Sequence, residues 1–460
     1  MVRYTLSDNL EGKREGAMES MSRKASGKVR VALAGLGTVG QGVVRLLQRE
    51  APRYRERFGI DLELGMILDR SYQKKDTSWI SSEVTFTDSL DDFLAVPSDV
   101  VVELIGGVDP ADRIIRSALG ESRSVVTANK ALMALHGTDY LKLAAESDSY
   151  LGFEASVAGG IPIIQVVNHS LSSDQILRVR GILNGTCNFI LSAMANGQTD
   201  YQDALAEAQS LGYAESDPTL DVSGGDARDK LAILSTLCFH AAIDPEKIPT
   251  QGIEKVSAVD FLYAEKIDSS IKLLGVASTR DDQLCLRVGP FLVDNSLPLS
   301  KISGVLNAVE VFGATVGSVM LSGSGAGEGP TAVSVMADVL RAVQQRRGAA
   351  STLLSSGKTS FQIGDLDIIL GGEQEESYPF YLRFFVKDRP GIIATLTQIL
   401  AERKINIDLV LQESWSDHSN LPFVITVEPT RFSSMQEAVE EMKTLDFNCT
   451  DPFVIPILKE

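Results

Sequence analysis

Short apolar runs alternate with longer polar or amphipathic stretches through the first 150 residues. These runs have the length of buried strands and are Val29–Ala34, Leu62–Leu68, Val100–Ile105 and Ser124–Thr127. Strands that alternate with helices form parallel sheets with crossover connections. The pattern therefore predicts an open, doubly wound α/β domain over residues 28–150.

The pattern changes after residue 150. Residues 151–315 are punctuated by glycines, with strands predicted near Leu177–Leu183 and Leu284–Val293, which indicates a separate α+β domain. A glycine-rich loop then precedes a helix. We expect the segment from about 316 to 345 to complete the first domain.

The C-terminal part begins a new pattern. Residues 346–377 are rich in Gly, Ser and Gln and are predicted to form a linker with one short strand, Leu366–Leu370. Residues 378–460 follow the order strand, helix, strand, strand, helix, strand, which is typical of a ferredoxin-like βαββαβ fold. Residues 1–27 lack an apolar core and are predicted to be a disordered extension rather than a secretion signal.

Composition excludes several classes of protein. A chain of 460 residues has room for two to four domains. Its formal net charge of −18 argues against a nucleic-acid partner, which requires clustered Lys and Arg. The four cysteines form no Cys-x-x-Cys pair, so we expect a reducing, cytoplasmic location and no zinc site. No apolar run reaches about 18 residues, so no membrane partner is expected.

The first candidate site is the motif Gly35-x-Gly37-x-x-Gly40, which follows a predicted strand and opens a predicted helix. Glycines at this spacing permit a tight turn, close approach of the backbone to a pyrophosphate, and close strand–helix packing. A plain strand–helix turn is the alternative. In this context the motif favours a Rossmann-type domain that binds NAD or NADP.

The second predicted strand ends at Asp69, where a ribose-binding acid is expected in such domains. A charged insert explains why the spacing from the glycines is longer than usual. Arg70, Lys74 and Lys75 follow closely and could meet a 2′-phosphate. The acid argues for NAD and the basic residues argue for NADP, so the cofactor preference stays open.

An acidic loop that ends in a lysine is the second candidate site. Its acids are Glu215, Asp217, Asp221, Asp226 and Asp229, and the lysine that ends it is Lys230. We predict Asp226 as the N-cap of a following apolar helix, and Lys230 lies four residues on, along the same face. Lysines seldom enter a core unpaired, so this position indicates either an active site or a solvated loop whose lysine extends outward.

Three shorter segments are ambiguous. Thr127-Ala-Asn129-Lys130 follows a predicted sheet strand, where ligands bind in open α/β sheets, or it is only a helix-capping turn. Glu154 and the glycine-containing turn after it could offer oxygen atoms to a hard cation, or could be a simple strand-to-turn transition. Asn184-Gly-Thr-Cys-Asn188 is either a tight turn or a polar wall of an active site.

Taken in order, the motifs from Val29 to about Gln345 resemble homoserine dehydrogenases. The matching segments are GLGTVG, TANK, FEASVAGGIPII, GILNGTCNFIL, LGYAESDPTLDVSGGDARDK and GSGAGEGPTA. Residues 387–391, Lys-Asp-Arg-Pro-Gly, resemble the start of an ACT domain. The resemblance implies NAD(P)H-dependent, reversible reduction of L-aspartate 4-semialdehyde to L-homoserine in threonine, isoleucine and methionine synthesis. It also implies that residues 151–315 form the catalytic and dimerisation domain.

The resemblance assigns roles to individual residues. Lys230 matches the proton donor to the developing alkoxide, and Lys130 matches a catalytic lysine where cofactor and substrate meet. Asp226, Glu215 and Asp221 match substrate-binding acids, with Asp226 also counted as catalytic.

Further residues match the cofactor and cation sites of the family. The expected cofactor-binding residues are Gly35, Gly37, Thr38, Val39, Gly40, Asp69, Arg70, Lys130, Gly212, Glu215 and Gly327. The expected ligands of a monovalent cation, Na⁺ or K⁺, are Glu154 and the carbonyls of Val157, Gly159 and Ile161.

The resemblance also predicts a homodimer or homotetramer, with threonine as an inhibitor whose effect would vanish on deletion of residues 378–460. Two alternatives are weighed against it. An ACT-linked dehydrogenase of 2-hydroxy acids would need a His–carboxylate pair with an Arg, and no such set is apparent. A catalytically inactive sensor would have lost Lys230, Asp226 or Lys130, and all three are present.

Overall fold

The structure is a computed structural model that describes residues 27–197, 199–280, 283–347, 367–368 and 376–459. Its strands, in chain order, are β1 (Val29–Ala34), β2 (Leu62–Leu68), β3 (Thr85–Thr87), β4 (Val100–Glu103), β5 (Ser124–Thr127), β6 (Leu151–Gly152), β7 (Ile176–Ile182), β8 (Ser269–Arg280), β9 (Gln283–Asp294), β10 (Leu306–Gly313), β11 (Gly317–Ser324), β12 (Asp367–Ile368), β13 (Ser377–Val386), β14 (Ile407–Gln412), β15 (Leu421–Arg431) and β16 (Phe453–Leu458). Its α-helices are α1 (Thr38–Phe58), α2 (Leu90–Ala95), α3 (Ala111–Gly120), α4 (Lys130–Glu146), α5 (Ile163–Gln165), α6 (Gly185–Gly197), α7 (Tyr201–Ser210), α8 (Thr219–Val222), α9 (Gly225–Phe239), α10 (Ala258–Lys266), α11 (Glu328–Arg346), α12 (Ile392–Glu402) and α13 (Phe432–Lys443).

The first of two compact units comprises the described residues up to Ser156 and those from Gly327 to 347. Its sheet has the strand order β3-β2-β1-β4-β5-β6, and each neighbouring pair is parallel. Strand order reverses beside β1, so the loops after β1 and β4 open a crevice at the carboxyl edge of the sheet. The predicted doubly wound, Rossmann-type fold is confirmed.

The second unit comprises residues 157–326 and the described residues from 367 on. Its sheet has the order β11-β10-β7-β8-β9-β16-β13-β15-β14, and β12 pairs with β9. The C-terminal elements β13-α12-β14-β15-α13-β16 form the predicted ferredoxin-like fold. Because β16 pairs in parallel with β9, through Ile457–Leu292 and Leu458–Val293, the C-terminal sheet continues the sheet of the preceding segment.

Two outcomes refine the predicted organisation. The segment from about 316 to 345 was expected to complete the first domain, but only α11 lies there, packed against α1, β4 and β5. Strand β11 instead forms an antiparallel pair with β10 and so belongs to the sheet of the second unit. Most of the predicted linker and N-terminal extension lies outside the described residues.

Within the described residues, no helix has both the length and the hydropathy needed to cross a membrane.

Candidate active site

The glycine loop between β1 and α1 has the geometry that a dinucleotide requires. Gly35 has φ +99°, and a Cβ there would lie 2.6 Å from the carbonyl oxygen of Leu104. A Cβ on Gly40 would collide with the carbonyl oxygen of Gly35, whereas a Cβ on Gly37 would meet nothing within 4 Å. Gly35 and Gly40 therefore permit the turn and its packing, and Gly37 leaves room at the start of α1, where Thr38 and Val39 begin the helix. A helix N-terminus of this kind attracts phosphate.

Asp69 is held against the glycine loop. One carboxylate oxygen accepts hydrogen bonds from the Leu36 amide at 2.9 Å and from the Lys75 ammonium at 2.7 Å, and the other accepts from Ser71. Burial raises the pKa of Asp69, but the Lys75 ammonium and the other donors outweigh it and lower that pKa to about 2. Lys75 is thus already paired, whereas Arg70, the residue after Asp69, is exposed.

Lys130 is the first residue of α4, at the carboxyl edge of the same sheet. Asn129 before it is the N-cap, because its Oδ1 accepts from the Leu132 amide and its Nδ2 donates to the Gly107 carbonyl at 2.7 Å. The capping turn is therefore present. A lysine in the first turn of a helix opposes the helix dipole, so capping alone does not explain its position.

Lys230 and Asp226 form a half-buried ion pair on α9. The Lys230 ammonium lies 2.7 Å from a carboxylate oxygen of Asp226 and donates to the Leu183 carbonyl at 2.9 Å. The Asp226 side chain is 2% exposed and the Lys230 side chain 12%. The predicted pairing four residues apart is present. The N-cap is Gly224 rather than Asp226, because α9 starts at Gly225 and places Asp226 inside its first turn.

Asn184 joins this ion pair to a second acid. Its amide nitrogen donates to Asp221 Oδ1 at 2.7 Å and to Asp226 Oδ2 at 2.8 Å. Its Oδ1 accepts from the Cys187 amide at the start of α6. Asn184 therefore both caps the turn into α6 and contributes to the cluster formed by Asn184, Asp221, Asp226 and Lys230, here called the substrate cluster, whereas Asn188 donates to the Leu306 carbonyl instead.

Other predicted residues of the second unit lie apart from these contacts. Glu215 and Gly212 are exposed on the loop between α7 and α8, and the Glu215 backbone carbonyl accepts from the Gln209 side-chain amide at 3.1 Å. Asp217 accepts from the amide and hydroxyl of Thr219 and stabilises a turn, and Asp229 pairs with Arg228.

The residues expected to bind a cation are distributed along one short segment. Glu154 is 2% exposed, and its amide donates to Asp338 on α11 at 2.9 Å. Val157 and Ile161 are buried in the second unit, and Gly159 has φ +48°, where a Cβ would lie 2.3 Å from the Gly325 carbonyl oxygen. Backbone carbonyls in such a turn, with a carboxylate, are the oxygen ligands that hard cations prefer. No cluster of three or more His, Cys, Asp or Glu suited to a metal occurs among the described residues.

The prediction missed two buried acids. Glu103 ends β4 and accepts from the Thr127 hydroxyl at 2.6 Å and from the Ile105 amide at 2.8 Å. Burial raises the pKa of Glu103, and these donors oppose the rise. An acid at the end of an apolar strand is the same signal that identified Asp69. Asp338, which accepts from the Tyr150 hydroxyl as well as from Glu154, follows no local pattern.

A dinucleotide loop, a lysine paired with an acid in a polar cluster, and a ferredoxin-like C-terminal fold define a nicotinamide-dependent oxidoreductase with an additional C-terminal domain. Family models agree with this class. "Homoserine dehydrogenase, NAD binding domain" matches residues 35–154, "Homoserine dehydrogenase" matches 162–340 and "ACT domain" matches 380–447.

Relatives that cover most of the chain identify its family. The homoserine dehydrogenase of Pseudomonas aeruginosa is 38% identical over 424 residues, covering 91% of this chain and 96% of its own. The crystal structure of the Thiobacillus denitrificans homoserine dehydrogenase matches with a TM-score of 0.86 at 34% sequence identity. The match covers 94% of this chain and 99% of that one. A hyperthermophilic archaeal homoserine dehydrogenase in complex with NADPH matches with a TM-score of 0.60 at 29% sequence identity. The match covers 69% of this chain and 98% of that one. The chain belongs to the homoserine dehydrogenase family.

Proposed function

We propose that this chain reduces L-aspartate 4-semialdehyde to L-homoserine, reversibly, in the synthesis of threonine, isoleucine and methionine. The observation that carries the proposal is the substrate cluster, in which an ammonium group lies beside one of two adjoining carboxylates. NADH or NADPH, when bound, supplies the hydride. The chain's own residues must then bind the amino-acid end of the substrate and provide a proton to the aldehyde oxygen.

Lys230 is suited to the proton transfer. Reduction of an aldehyde places negative charge on its oxygen, and a positioned ammonium neutralises and protonates that oxygen. The Asp226 carboxylate and the Leu183 carbonyl fix the position of the Lys230 ammonium without enclosing it fully. Asp221 and Glu215 then supply negative charge for the ammonium of the substrate, and Lys130 contributes positive charge at the cofactor side of the reaction.

The cofactor site accommodates NADP as well as NAD. An unpaired acid after β2 would repel a 2′-phosphate, but Asp69 is already paired with Lys75 and the Leu36 amide. Arg70 remains exposed next to it. The archaeal relative in complex with NADPH supports the same conclusion. The residues expected to bind the cofactor are those that the family resemblance indicates, from Gly35 to Gly327.

We also propose a monovalent cation, Na⁺ or K⁺, bound by the segment from Glu154 to Ile161. The carbonyls of Val157 and Gly159 and the carboxylate of Glu154 supply its oxygen ligands. Activity measured at constant ionic strength in choline, Na⁺ and K⁺ salts tests this, because equal rates in all three would exclude the cation. The same preparations, sized by light scattering, test the proposed homodimer or homotetramer.

Threonine inhibition through the ACT domain is the proposed regulation. Deletion of residues 378–460 is a poor test, because it would also remove β16 from the edge of β9. Titration of L-threonine into the full-length enzyme, with D-threonine as the control, is cleaner. Inhibition by the L-enantiomer alone supports the proposal, and activity unchanged by L-threonine contradicts it.

The central experiment is oxidation of NADH and of NADPH by the purified chain with L-aspartate 4-semialdehyde as substrate. We expect stereospecific formation of L-homoserine with both cofactors. A 2-oxo acid series is assayed alongside. Turnover of a 2-oxo acid but not of the semialdehyde would overturn the proposed function.

A further inference from the structure

Two carboxylates of the substrate cluster, those of Asp221 and Asp226, lie close together, because one amide nitrogen contacts both. Asp226 is paired with Lys230, whereas Asp221 reaches the cluster through the amide of Asn184. Two adjoining carboxylates repel each other, and burial strengthens the repulsion. The arrangement therefore needs a group that holds both acids in place.

Asn184 has the chemistry for this task. Its side chain is 3% exposed, and its amide nitrogen uses one hydrogen on each carboxylate, at 2.7 and 2.8 Å. Its oxygen accepts from the Cys187 amide at 2.7 Å, which fixes the orientation, because a flipped amide would direct oxygen at two acceptor-only carboxylates. An arginine or lysine here would neutralise the acids, whereas a neutral amide positions them and leaves their charge for a ligand.

Building on the proposed function, we propose that Asn184 is a positioning residue that holds Asp221 and Asp226 as one charged seat for the substrate's ammonium group. The residue before it serves the same cluster, since the Leu183 carbonyl accepts from Lys230. The turn between β7 and α6 thus orients the two acids and the amine together. Asn184 contacts no reacting atom in this scheme.

The first test removes the amide. Asn184→Ala should lower kcat/KM for the semialdehyde about 10–100-fold, the range typical of residues that orient functional groups, and should weaken binding of L-homoserine measured by calorimetry. The KM for NADPH should stay within about twofold. Asn184→Ser, with one hydroxyl donor for two acids, should show a smaller loss and guards against a misfolded alanine variant.

The matched control is Asn188→Ala. Asn188 is a buried amide in the first turn of α6, and its Nδ2 donates to the Leu306 carbonyl rather than to an acid. We expect kcat/KM of this variant to remain near that of the unmodified enzyme. Equal losses in the two alanine variants, or an unchanged kcat/KM in Asn184→Ala, would overturn the proposal.

The second test changes the charge at constant shape. Asn184→Asp places a third acid beside Asp221 and Asp226. The further charged groups nearby are Lys230 and Glu254. The Cys187 thiol also lies beside them, and burial raises the pKa of that thiol. One shared proton would restore a donor between the acids. The ratio of variant to unmodified kcat/KM should therefore rise severalfold as the pH falls from about 8 to about 6.

A pH-independent ratio would indicate a packing role and overturn the proposal. Failure of the proposed function looks different, because the unmodified enzyme itself would then not turn over the semialdehyde.

Discussion

Two buried ion pairs of the second unit have nearly the same geometry. In the substrate cluster, Lys230 lies 2.7 Å from Asp226, with side chains 12% and 2% exposed. Where α10 meets β13, Arg383 lies 2.9 Å from Asp260, with side chains 8% and 0% exposed. Distance and burial alone do not tell which pair serves chemistry and which serves structure.

The surroundings separate them. Asp260 is enclosed by donors, namely the Ser257 amide at 2.8 Å, the Tyr381 hydroxyl at 2.8 Å and the Arg383 guanidinium. These groups, here called the junction cluster, join the ACT domain to the segment before it. The charge of the Asp260 carboxylate is balanced there by that of the Arg383 guanidinium. The substrate cluster instead adds a second carboxylate, Asp221, which shares the Asn184 amide with Asp226.

The largest expected effect is that of Lys230→Ala. Loss of a general acid lowers kcat by about 10²–10⁴, equivalent to about 3–5.5 kcal/mol of activation free energy. The fold should be retained with a lowered melting temperature, because Asp226 loses its cation but keeps the Asn184 amide as a partner. Steady-state kinetics and calorimetry on the same sample measure both. Lys247→Ala, at a lysine 69% exposed, is the control, and near-normal turnover in Lys230→Ala would erase the distinction between the clusters.

The next effect is that of Arg383→Met, which leaves Asp260 buried without its cation. Breaking a buried pair in this way costs about 3–5 kcal/mol, a large part of the stability of a typical domain. Chemical denaturation should show this loss, while kcat of the folded fraction stays near normal. The double variant Asp260→Asn, Arg383→Met should recover part of the stability. A variant with normal stability and impaired kcat would assign the junction cluster to catalysis.

Local periodicity explains why the sequence predicted one pair and not the other. Asp226 and Lys230 share one helix face, so spacing alone predicts their contact. Asp260 lies on α10 and Arg383 on β13, and only the tertiary packing of these distant segments brings them together. The sequence indicates that Asn184 lies in a tight turn or a polar wall. Its hydrogen bonds to Asp221 and Asp226 depend on where α8 and α9 pack. The Rossmann and ferredoxin-like folds were predictable because alternating strands and helices report topology directly.

A smaller effect is expected for Tyr381→Phe. The tyrosine is buried, and its hydroxyl donates to Asp260. Loss of one hydrogen bond to a charged group costs about 1.5–3 kcal/mol, less than loss of the arginine. Denaturation curves of Tyr381→Phe and of the distant Tyr54→Phe, measured together, allow the comparison. A Tyr381→Phe variant less stable than Arg383→Met would show that hydrogen bonding, rather than charge, holds the junction cluster together.

The smallest effect is expected at the exposed edge of the same junction. Lys266 on α10 and Glu413 after β14 lie 2.6 Å apart, and their side chains are 39% and 43% exposed. The Glu413 carboxylate raises the pKa of Lys266, but solvent and salt screen such a pair, and ordering two long side chains offsets its attraction. Lys266→Ala should therefore leave the melting temperature unchanged within error at physiological salt. A clear drop in the melting temperature that disappears in high salt would show that the junction cluster extends to the surface. Burial would then not distinguish ion pairs that stabilise the fold from those that do not.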